Sequence, residues 1–285
     1  MIEGEYIKNN TKFAKSLKQT PRSLFIENVV FITSERLKEN LEALIKEKDI
    51  NTIRLTTDDY KLDNLDFLND YDLSFIRSIN ILSDSIKNID ALYSLKSIEE
   101  ITSGNLNIDY SKFPKLRRVG AELSAFSYKT LSKVSSLEAI TISNKFKELD
   151  VTIFANNKRL KYLTLIGSKI TSLKGLENFS ELEYLGLFYN RNIISLEGIS
   201  EIHNKSLKEI SIYSAPRLFY VYEYLSKLTN LEHLQLDSKK VDSFKFLNSL
   251  KNLKILSIHN KITEVEDGDK APLLEGLIRT NGKIW

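Results

Sequence analysis

An aliphatic pattern that recurs along most of the chain constrains the fold more than any other feature of the sequence. In each copy an aliphatic residue is followed by two variable residues, a second aliphatic residue, one variable residue and a third aliphatic residue. The clearest copies are Leu160-Leu163-Leu165, Leu182-Leu185-Leu187, Leu207-Ile210-Ile212, Leu231-Leu234-Leu236 and Leu253-Leu256-Ile258, and weaker copies begin at Ile50, Ile76, Ile98, Leu116 and Leu137. The shortest step, from Ile98 to Leu116, is 18 residues and the longest, from Ile50 to Ile76, is 26. We expect about ten stacked coils of one repeat architecture.

The second half of each repeat carries apolar residues at every third position. Examples are Ile86-Ile89-Leu92-Leu95, Ile170-Leu173-Leu176-Phe179, Ile193-Leu196-Ile199-Ile202 and Val241-Phe244-Leu247-Leu250. A spacing of three is typical of a 3₁₀-like path, whereas an α-helix alternates spacings of three and four. The sequence therefore predicts one parallel sheet, with turns and 3₁₀ segments and few long helices on the opposite side.

The residue after the first aliphatic of each copy alternates in charge along the chain. These residues are Glu99, Arg117, Glu138, Lys161, Glu183, Lys208, Glu232 and Lys254. In a parallel sheet such positions are neighbours roughly 4.8 Å apart, so alternation places opposite charges side by side. We interpret this charge ladder as a structural feature rather than as a binding surface.

These repeats resemble the leucine-rich-repeat family from roughly Ile50 to Val265, and the short coils are most similar to bacterial internalin-type repeats of about 22 residues. The segment LKYLTLIGSKITSLKGLENFSE, from Leu160 to Glu181, shows the resemblance best. The resemblance implies an α/β repeat solenoid, a horseshoe or arc with a parallel β-sheet on its concave face. The family usually has Asn at the ninth position, but this chain has Asn190 there and Asp58, Asp84, Lys145, Ser168, Ala215, Lys239 and Lys261 in other copies, which argues against regular curvature.

The chain divides into an N-terminal tail at 1–23, a strand–helix cap at 24–49, leucine-rich repeats at 50–265 and a C-terminal cap at 266–285. Caps are expected because an open stack of repeats exposes apolar edges at both ends. In the first cap, Val29 to Ile32 has the pattern of a strand, and Ser34 is expected to cap the helix that follows. This helix is expected to carry one apolar face, formed by Leu37, Leu41, Leu44 and Ile45. In the second, Pro272 is expected to start a short helix that includes Ile278, with Trp285 as a hydrophobic lid.

Composition excludes several kinds of protein. The 41 Lys and Arg against 38 Asp and Glu leave a formal charge of +3, too small for the overall field to attract nucleic acid or anionic lipid. There is no cysteine, so disulfides, thiolate zinc sites and cysteine nucleophiles are absent. No apolar run reaches the roughly 20 residues of a membrane helix, and the first 23 residues lack a signal-peptide core. We expect a cytoplasmic monomer that has no cofactor and binds neither nucleic acid nor a membrane.

Strand periodicity places the side chains between the core aliphatics on the open, concave surface of the sheet. Five aromatic residues gather there or beside it in adjacent copies: Tyr162, Tyr184, Phe188, Tyr189 and Tyr213. The residues between them, Thr164, Gly186 and Ser211, are small enough that the rings should be accessible. Exposed aromatic clusters are typical of protein interfaces, and cross-strand stacking that only stiffens the sheet is the alternative.

Polar residues are expected next to these aromatics on neighbouring strands: Glu209, His233, Asp237 and His259. The favoured interpretation is a polar rim that orients a partner, with histidines that respond to pH. A metal site at Asp237 and His259 is a second hypothesis, although no strong metal spacing is present. A hydrolytic arrangement of Ser257, His259 and Asp237 is a third, without a nucleophile elbow or an oxyanion hole in view. His203 lies in an inserted stretch and is expected to be solvated.

We predict a non-enzymatic module that recognises another protein through its concave sheet face. The resemblance to bacterial repeat proteins suggests two specific versions, an immunity-type protein that neutralises a toxin and a signalling adaptor. A hydrolase or metal-dependent enzyme at the C-terminal histidines is the competing class.

Overall fold

The structure, a computed structural model, describes residues 3–8, 11–15, 28–47, 49–143, 148–258, 264–265 and 278–279. The chain divides into two compact units, Met1–Leu137 and Glu138–Trp285. Each unit is a stack of short strands joined by turns, 3₁₀ segments and short helices.

In the described part of the first unit, seven strands lie side by side in chain order. They are β1 (Glu3–Lys8), β2 (Thr11–Lys15), β3 (Asn28–Phe31), β4 (Thr52–Thr56), β5 (Ser78–Leu82), β6 (Glu100–Ser103) and β7 (Arg118–Ala121). β1, β2 and β3 are antiparallel neighbours, whereas β3 to β7 are parallel. An antiparallel hairpin therefore extends the parallel stack at its N-terminal end.

The second unit continues the same pattern of strands. They are β8 (Ala139–Ser143), β9 (Tyr162–Ile166), β10 (Tyr184–Phe188), β11 (Glu209–Tyr213), β12 (His233–Leu236), β13 (Lys240–Val241), β14 (Ile255–Ile258), β15 (Glu264–Val265) and β16 (Ile278–Arg279). β8 to β12, β14 and β16 pair in parallel in that order, and β13 pairs with β15 separately. Leu185 of β10 lies between Leu163 and Ile210, which is the register that the aliphatic pattern predicts.

The segments between the strands are short. The α-helices are α1 (Leu37–Lys46), α2 (Ala125–Leu131) and α3 (Tyr222–Leu225), and 3₁₀ segments lie at Asp66–Asn69, Asp90–Ser94, Tyr110–Lys112, Thr152–Phe154, Leu176–Asn178, Glu201–Asn204 and Lys245–Asn248. The predicted fold class, a parallel sheet whose other side consists mostly of turns and 3₁₀ segments, is confirmed.

The core of each repeat consists of the aliphatic side chains of the recurring pattern. Leu163 and Leu165 of β9 are fully buried, and so is Leu160 just before the strand. Burying one such side chain contributes roughly 1.5–3 kcal/mol. Because equivalent residues lie side by side in neighbouring strands, this burial accumulates along each stack rather than around a single centre.

The alternating charges form ion pairs at the amino-terminal ends of the strands. In the first unit the Glu99 carboxylate accepts hydrogen bonds from Arg77 at 2.7 and 3.1 Å and lies 3.2 Å from Arg117. In the second, Glu232 accepts a hydrogen bond from Lys254 at 2.5 Å. The Arg77 guanidinium holds the pKa of Glu99 below its usual value. The charge ladder is therefore present at these positions, and Arg77 extends it by one repeat.

Asn190 has the backbone role that the ninth position of the repeat implies. Its Oδ1 accepts a hydrogen bond from the Ser168 amide at 2.9 Å, and its Nδ2 donates to the Leu165 carbonyl at 2.9 Å. In the repeat that begins at Ile76, a hydroxyl pairs another turn carbonyl, since Ser83 Oγ donates to the Tyr60 carbonyl at 2.6 Å. Buried carbonyls in the turns are thus paired by more than one residue type.

Residues 1–23, which the sequence identifies only as an N-terminal tail, contain β1 and β2, and β2 pairs with β3. The predicted strand at Val29 to Ile32 corresponds to β3. The prediction that Ser34 caps the following helix is wrong. Ser34 Oγ accepts a hydrogen bond from the Lys61 amide at 2.6 Å, and α1 begins after Arg36 without a side-chain cap.

A buried amide, rather than a cap, ties α1 to the sheet. Asn40 is 1% exposed, its Oδ1 accepts from the Thr33 amide at 2.8 Å, and its Nδ2 donates to Thr11 Oγ1 at 3.1 Å. Leu41 of α1 is buried as predicted, whereas Ile45, expected on the same apolar face, is 46% exposed. The helix therefore covers the N-terminal repeat with a narrower apolar face than its sequence predicts.

Most of the predicted C-terminal cap, including Pro272 and Trp285, lies outside the described residues. Ile278 is described, and it pairs with Ile255 as part of β16. The prediction that Ile278 is helical is therefore wrong, because its backbone pairs with the edge of β14.

His203, expected to be solvated, is fully buried, and Ile202, expected in the core, is 47% exposed. His203 Nδ1 accepts a hydrogen bond from the Ser200 amide at 3.1 Å, and Nε2 lies 3.0 Å from the Leu176 carbonyl. This pairing requires a neutral ring with its proton on Nε2. Burial lowers the pKa of His203 below the ordinary value of 6.5. His203 is therefore a structural residue that joins two repeats.

Acidification should destabilise the chain through His203. The unfolded chain protonates this histidine near pH 6.5 while the buried ring resists protonation, so the free energy of unfolding should decrease as the pH falls below 6.5. Urea unfolding between about pH 7.5 and pH 5.5 should show a flatter pH dependence for His203→Gln than for the wild type. Ser206→Ala removes the hydrogen bond from the Ser206 hydroxyl to the Ser180 carbonyl but keeps the histidine, so it should retain the wild-type dependence of stability on pH. Equal dependence in His203→Gln and the wild type would contradict this assignment.

Candidate functional site

The open face of the second unit is formed by the side chains that alternate with the buried aliphatics of β8 to β12 and β14. Register aligns them in columns. Tyr184 lies between Tyr162 and Glu209 in one column, and Phe188 lies between Ile166 and Tyr213 in another. Tyr189 directly follows Phe188. The structure thus brings five predicted residues together, and we call them the aromatic cluster: Tyr162, Tyr184, Phe188, Tyr189 and Tyr213.

Gly186 determines how two rings of the aromatic cluster pack. A β-carbon at this position would lie 2.7 Å from Tyr184 Oη and 2.8 Å from Phe188 Cε2, so both rings cover the bare glycine backbone. The expectation that Gly186 keeps the rings accessible is wrong for Tyr184, which is 3% exposed. The physical reason is that the missing side chain leaves space into which apolar rings collapse, away from water. Tyr184 therefore supports the surface and does not form it.

Tyr162 is fixed by a hydrogen bond to the neighbouring repeat. Its Oη donates to the Glu183 carboxylate at 2.8 Å. Partial burial and the Glu183 carboxylate raise the pKa of Tyr162 to about 12, so the phenol remains a donor at any physiological pH. The hydroxyl group of Tyr162 is therefore engaged in a hydrogen bond within the fold, and only its partly exposed ring is available to contact another molecule.

Tyr189 and Tyr213 form the accessible part of the aromatic cluster. Tyr189 is 52% exposed, and its ring meets that of Tyr213 edge to face, with 5.4 Å between centroids and 82° between planes. The Tyr189 amide donates to the Tyr213 carbonyl at 2.8 Å, which fixes the two backbones. This edge-to-face geometry is favourable for aromatic pairs and orders the exposed ring.

The backbone of Tyr189 is in the left-handed region, with a φ of 58°. The equivalent turn residues of the adjacent repeats, Gly167 and Ser214, have φ values of 62° and 58°. A residue with a β-carbon pays roughly 1–2 kcal/mol for this conformation, and bulky residues rarely adopt it. The turn suits glycine, so the repeat geometry does not account for an exposed tyrosine at this position.

The polar residues beside the aromatic cluster have separate roles. Glu209 and His233 are neighbours in register, both partly exposed, with 3.8 Å between the Glu209 carboxylate and His233 Nδ1. Asp237, in contrast, is 7% exposed and accepts a hydrogen bond from the Ser214 amide at 3.0 Å. Asp237 therefore stabilises a positive-φ turn. His259 lies outside the described residues.

The arrangement of strands and turns is similar to that of bacterial proteins of known structure. An internalin from Listeria monocytogenes matches with a TM-score of 0.54 and 15% identity, over 76% of this chain and 69% of the internalin. A leucine-rich-repeat protein from Leptospira interrogans matches with a TM-score of 0.56 and 19% identity, over 74% of this chain and 55% of that protein. The chain has a leucine-rich-repeat fold.

The sequence comparisons are more limited. A 70-residue stretch, 24% of this leucine-rich-repeat chain, is 40% identical to Toll-like receptor 4 of Pongo pygmaeus and spans 8% of that receptor. No family model matches the chain. The resemblance of the repeats to those of internalins is confirmed at the level of the fold.

The two enzymatic hypotheses involve His259, outside the described residues. Among the residues that are described, no group of three or more His, Asp or Glu side chains is placed to hold a metal ion. Ser257 is 8% exposed, and the Asp237 carboxylate is bonded to the Ser214 amide. Within the described ranges, no helix of this leucine-rich-repeat chain is long and apolar enough to cross a membrane.

Sequence reasoning missed four exposed cations in the turns after β9 to β12. They are Lys169, Arg191, Arg217 and Lys239. The register of the leucine-rich repeats could have identified these cations. Each cation lies one or two residues before the next buried aliphatic residue of its repeat, such as Ile170 or Leu218.

Gly186→Ala should displace the rings of Tyr184 and Phe188 without unfolding the chain. The new methyl group overlaps outer ring atoms that can rotate away, so we expect a loss of roughly 1–3 kcal/mol in unfolding free energy and an altered near-ultraviolet circular dichroism signal. Gly120→Ala is the matched control, since its β-carbon would lie no closer than 3.4 Å to Thr102 in β6. Equal effects of the two substitutions would contradict the proposed ring packing.

Proposed function

We propose that this leucine-rich-repeat chain is a non-enzymatic module that binds a protein partner through the open face of its second unit. The observation that carries the proposal is Tyr189, an exposed ring on a left-handed backbone, packed edge to face against Tyr213. Tyrosine is enriched at the energetic centres of protein interfaces, where it supplies a large contact area at a small loss of side-chain entropy.

Backbone strain supports a functional role for Tyr189. The equivalent Gly167 makes the same turn without a β-carbon, so folding alone favours glycine at this position. Strained residues that persist in stable structures are concentrated at functional sites. A tyrosine with a strained backbone and a half-exposed ring is therefore better explained by a contact with another molecule than by packing within the chain.

The aromatic cluster divides into contacts and supports. The rings of Tyr189, Tyr213, Phe188 and Tyr162 offer accessible surface, while the buried Tyr184 supports them. Because packing and hydrogen bonds already order these rings, a partner that contacts them loses less conformational entropy on binding.

The surroundings of the aromatic cluster suit an interface of ordinary size. The middle column of the open face consists of small side chains, Thr164, Gly186 and Ser211, all of them buried, and the rings of Tyr184 and Phe188 cover its centre at Gly186. A stable interface buries roughly 800 Å² on each side, which several strands at roughly 4.8 Å spacing supply. Glu209 and His233 at its edge provide a polar rim.

Tyr189→Ala should weaken partner binding at least about tenfold, because truncating a hot-spot tyrosine at an interface costs about 2 kcal/mol or more. Tyr220→Ala is the matched control: Tyr220 is 54% exposed against 52% for Tyr189, but it lies outside the sheet in the segment after β11. Proteins captured from a host lysate on wild type and variants are compared by mass spectrometry, and the recovered partner is then titrated calorimetrically. A partner bound equally by the wild type, Tyr189→Ala and Tyr213→Ala would refute the proposal.

A second variant separates binding from folding. Tyr189→Gly should lose binding as Tyr189→Ala does, yet be more stable than Tyr189→Ala by about 1 kcal/mol in urea unfolding, because glycine adopts positive φ freely. Equal stability of the two variants would show that the backbone at Tyr189 is not strained, which would remove the main support for the proposal.

A further inference from the structure

Exposed cations follow the carboxyl ends of four successive strands, β9 to β12, one in each turn. We call them the cationic row: Lys169, Arg191, Arg217 and Lys239. The turns that carry them stack through backbone hydrogen bonds, such as the one from the Tyr189 amide to the Tyr213 carbonyl at 2.8 Å. Successive turns of such a stack are roughly 4.8 Å apart, so members of the row are close neighbours.

The two ends of the strands differ in their pattern of charge. At the amino ends the sign alternates and neighbours pair, as Glu232 does with Lys254. At the carboxyl ends of β9 to β12, every exposed charged residue of the four turns is positive. Within the described residues, no ion pair joins the cationic row to a carboxylate. Like charges in adjacent repeats repel, so the fold gains nothing from this row.

The cationic row lies beside the accessible part of the aromatic cluster. Arg191 follows Tyr189 by two residues, and Arg217 follows Tyr213 by four, within the same stacked turns. One edge of the second unit therefore combines an apolar centre with a positive rim. A partner that fits both parts must carry apolar side chains and, next to them, negative charge.

We propose that the protein partner presents an acidic segment, rich in Asp and Glu, to the cationic row while its apolar side chains contact Tyr189 and Tyr213. This inference rests on the proposed function and specifies the chemistry of the partner. Complementary charge at the rim of an interface raises the association rate and fixes the orientation of the partner.

The geometry of the exposed rings favours an acidic protein over a nucleic acid. The edge-to-face pair of Tyr189 and Tyr213 lacks the parallel ring faces on which successive bases stack.

The test uses the whole chain and two defined probes. A phage-displayed random-peptide library is selected on immobilised wild-type protein, and a fluorescent oligo-dT strand is titrated by anisotropy at about 0.15 M salt. We expect the selected peptides to be enriched in Asp, Glu and apolar residues relative to the unselected library, and we expect no binding of oligo-dT.

A charge reversal with a matched control assigns the binding to the row. K169E/R191E/R217E/K239E should weaken the selected peptides at least about tenfold. K174E/K205E/K245E/K251E makes the same change in net charge at exposed lysines elsewhere in the second unit and should leave their affinity unchanged. Circular dichroism checks folding, and the neutral set K169Q/R191Q/R217Q/K239Q replaces the reversal if that variant unfolds.

The outcomes separate this inference from the proposed function. Peptides that lack acidic enrichment and bind the reversed variant normally, yet are lost in Tyr189→Ala, overturn the acidic partner and leave the open face as the binding site. Selection that recovers no peptide dependent on either the row or Tyr189 overturns both. Oligo-dT binding that disappears on reversal of the row overturns the inference in favour of nucleic acid.

Discussion

The in-register stacking of buried aliphatic side chains is the interaction on which the rest of this structure depends. Leu163, Leu185 and Ile210 are fully buried neighbours in adjacent strands, and no repeat could remove its own leucines from water alone. The same register decides which residues reach the open face, because strand side chains alternate. A slip of one residue would bury Tyr162 and expose its leucine neighbours, so the proposed binding surface and the core depend on the same register.

The aromatic surface of this chain is formed at positions that depart from the repeat. Gly186 replaces a side chain with bare backbone, and two rings fill the space above it. Tyr189 occupies a turn position that suits glycine, and Asp237 pairs with the amide of the equivalent turn at Ser214. The residues at Gly186 and Tyr189 cost the fold a side chain and backbone strain respectively, whereas Asp237 stabilises its turn. Together they present ordered aromatic surface at one edge of the stack, which regular repeats would not do.

Charge has opposite arrangements at the two ends of the strands. At the amino ends the charges alternate in sign, so the closely spaced side chains of neighbouring strands attract each other, as Arg77 and Glu99 do. At the carboxyl ends of β9 to β12 the exposed charged residues are all positive, so the same close spacing makes them repel each other. The stacking geometry is common to both ends, so the contrast arises from the choice of residues. The alternating charges at the amino ends stabilise the fold, whereas the cationic row at the carboxyl ends does not and is the feature that we propose a partner recognises.

The sequence by itself determined the repeat, the strand register, the sides on which residues lie and most of the charge ladder, because each depends on spacing along the chain. Tertiary structure decided the burial of Tyr184, the exchange of Ile202 for His203 in the core and the pairing of β1 and β2. These features depend on which groups from other repeats lie within contact distance. Spacing predicts the direction of a side chain, but only the packed neighbours decide whether water still reaches it.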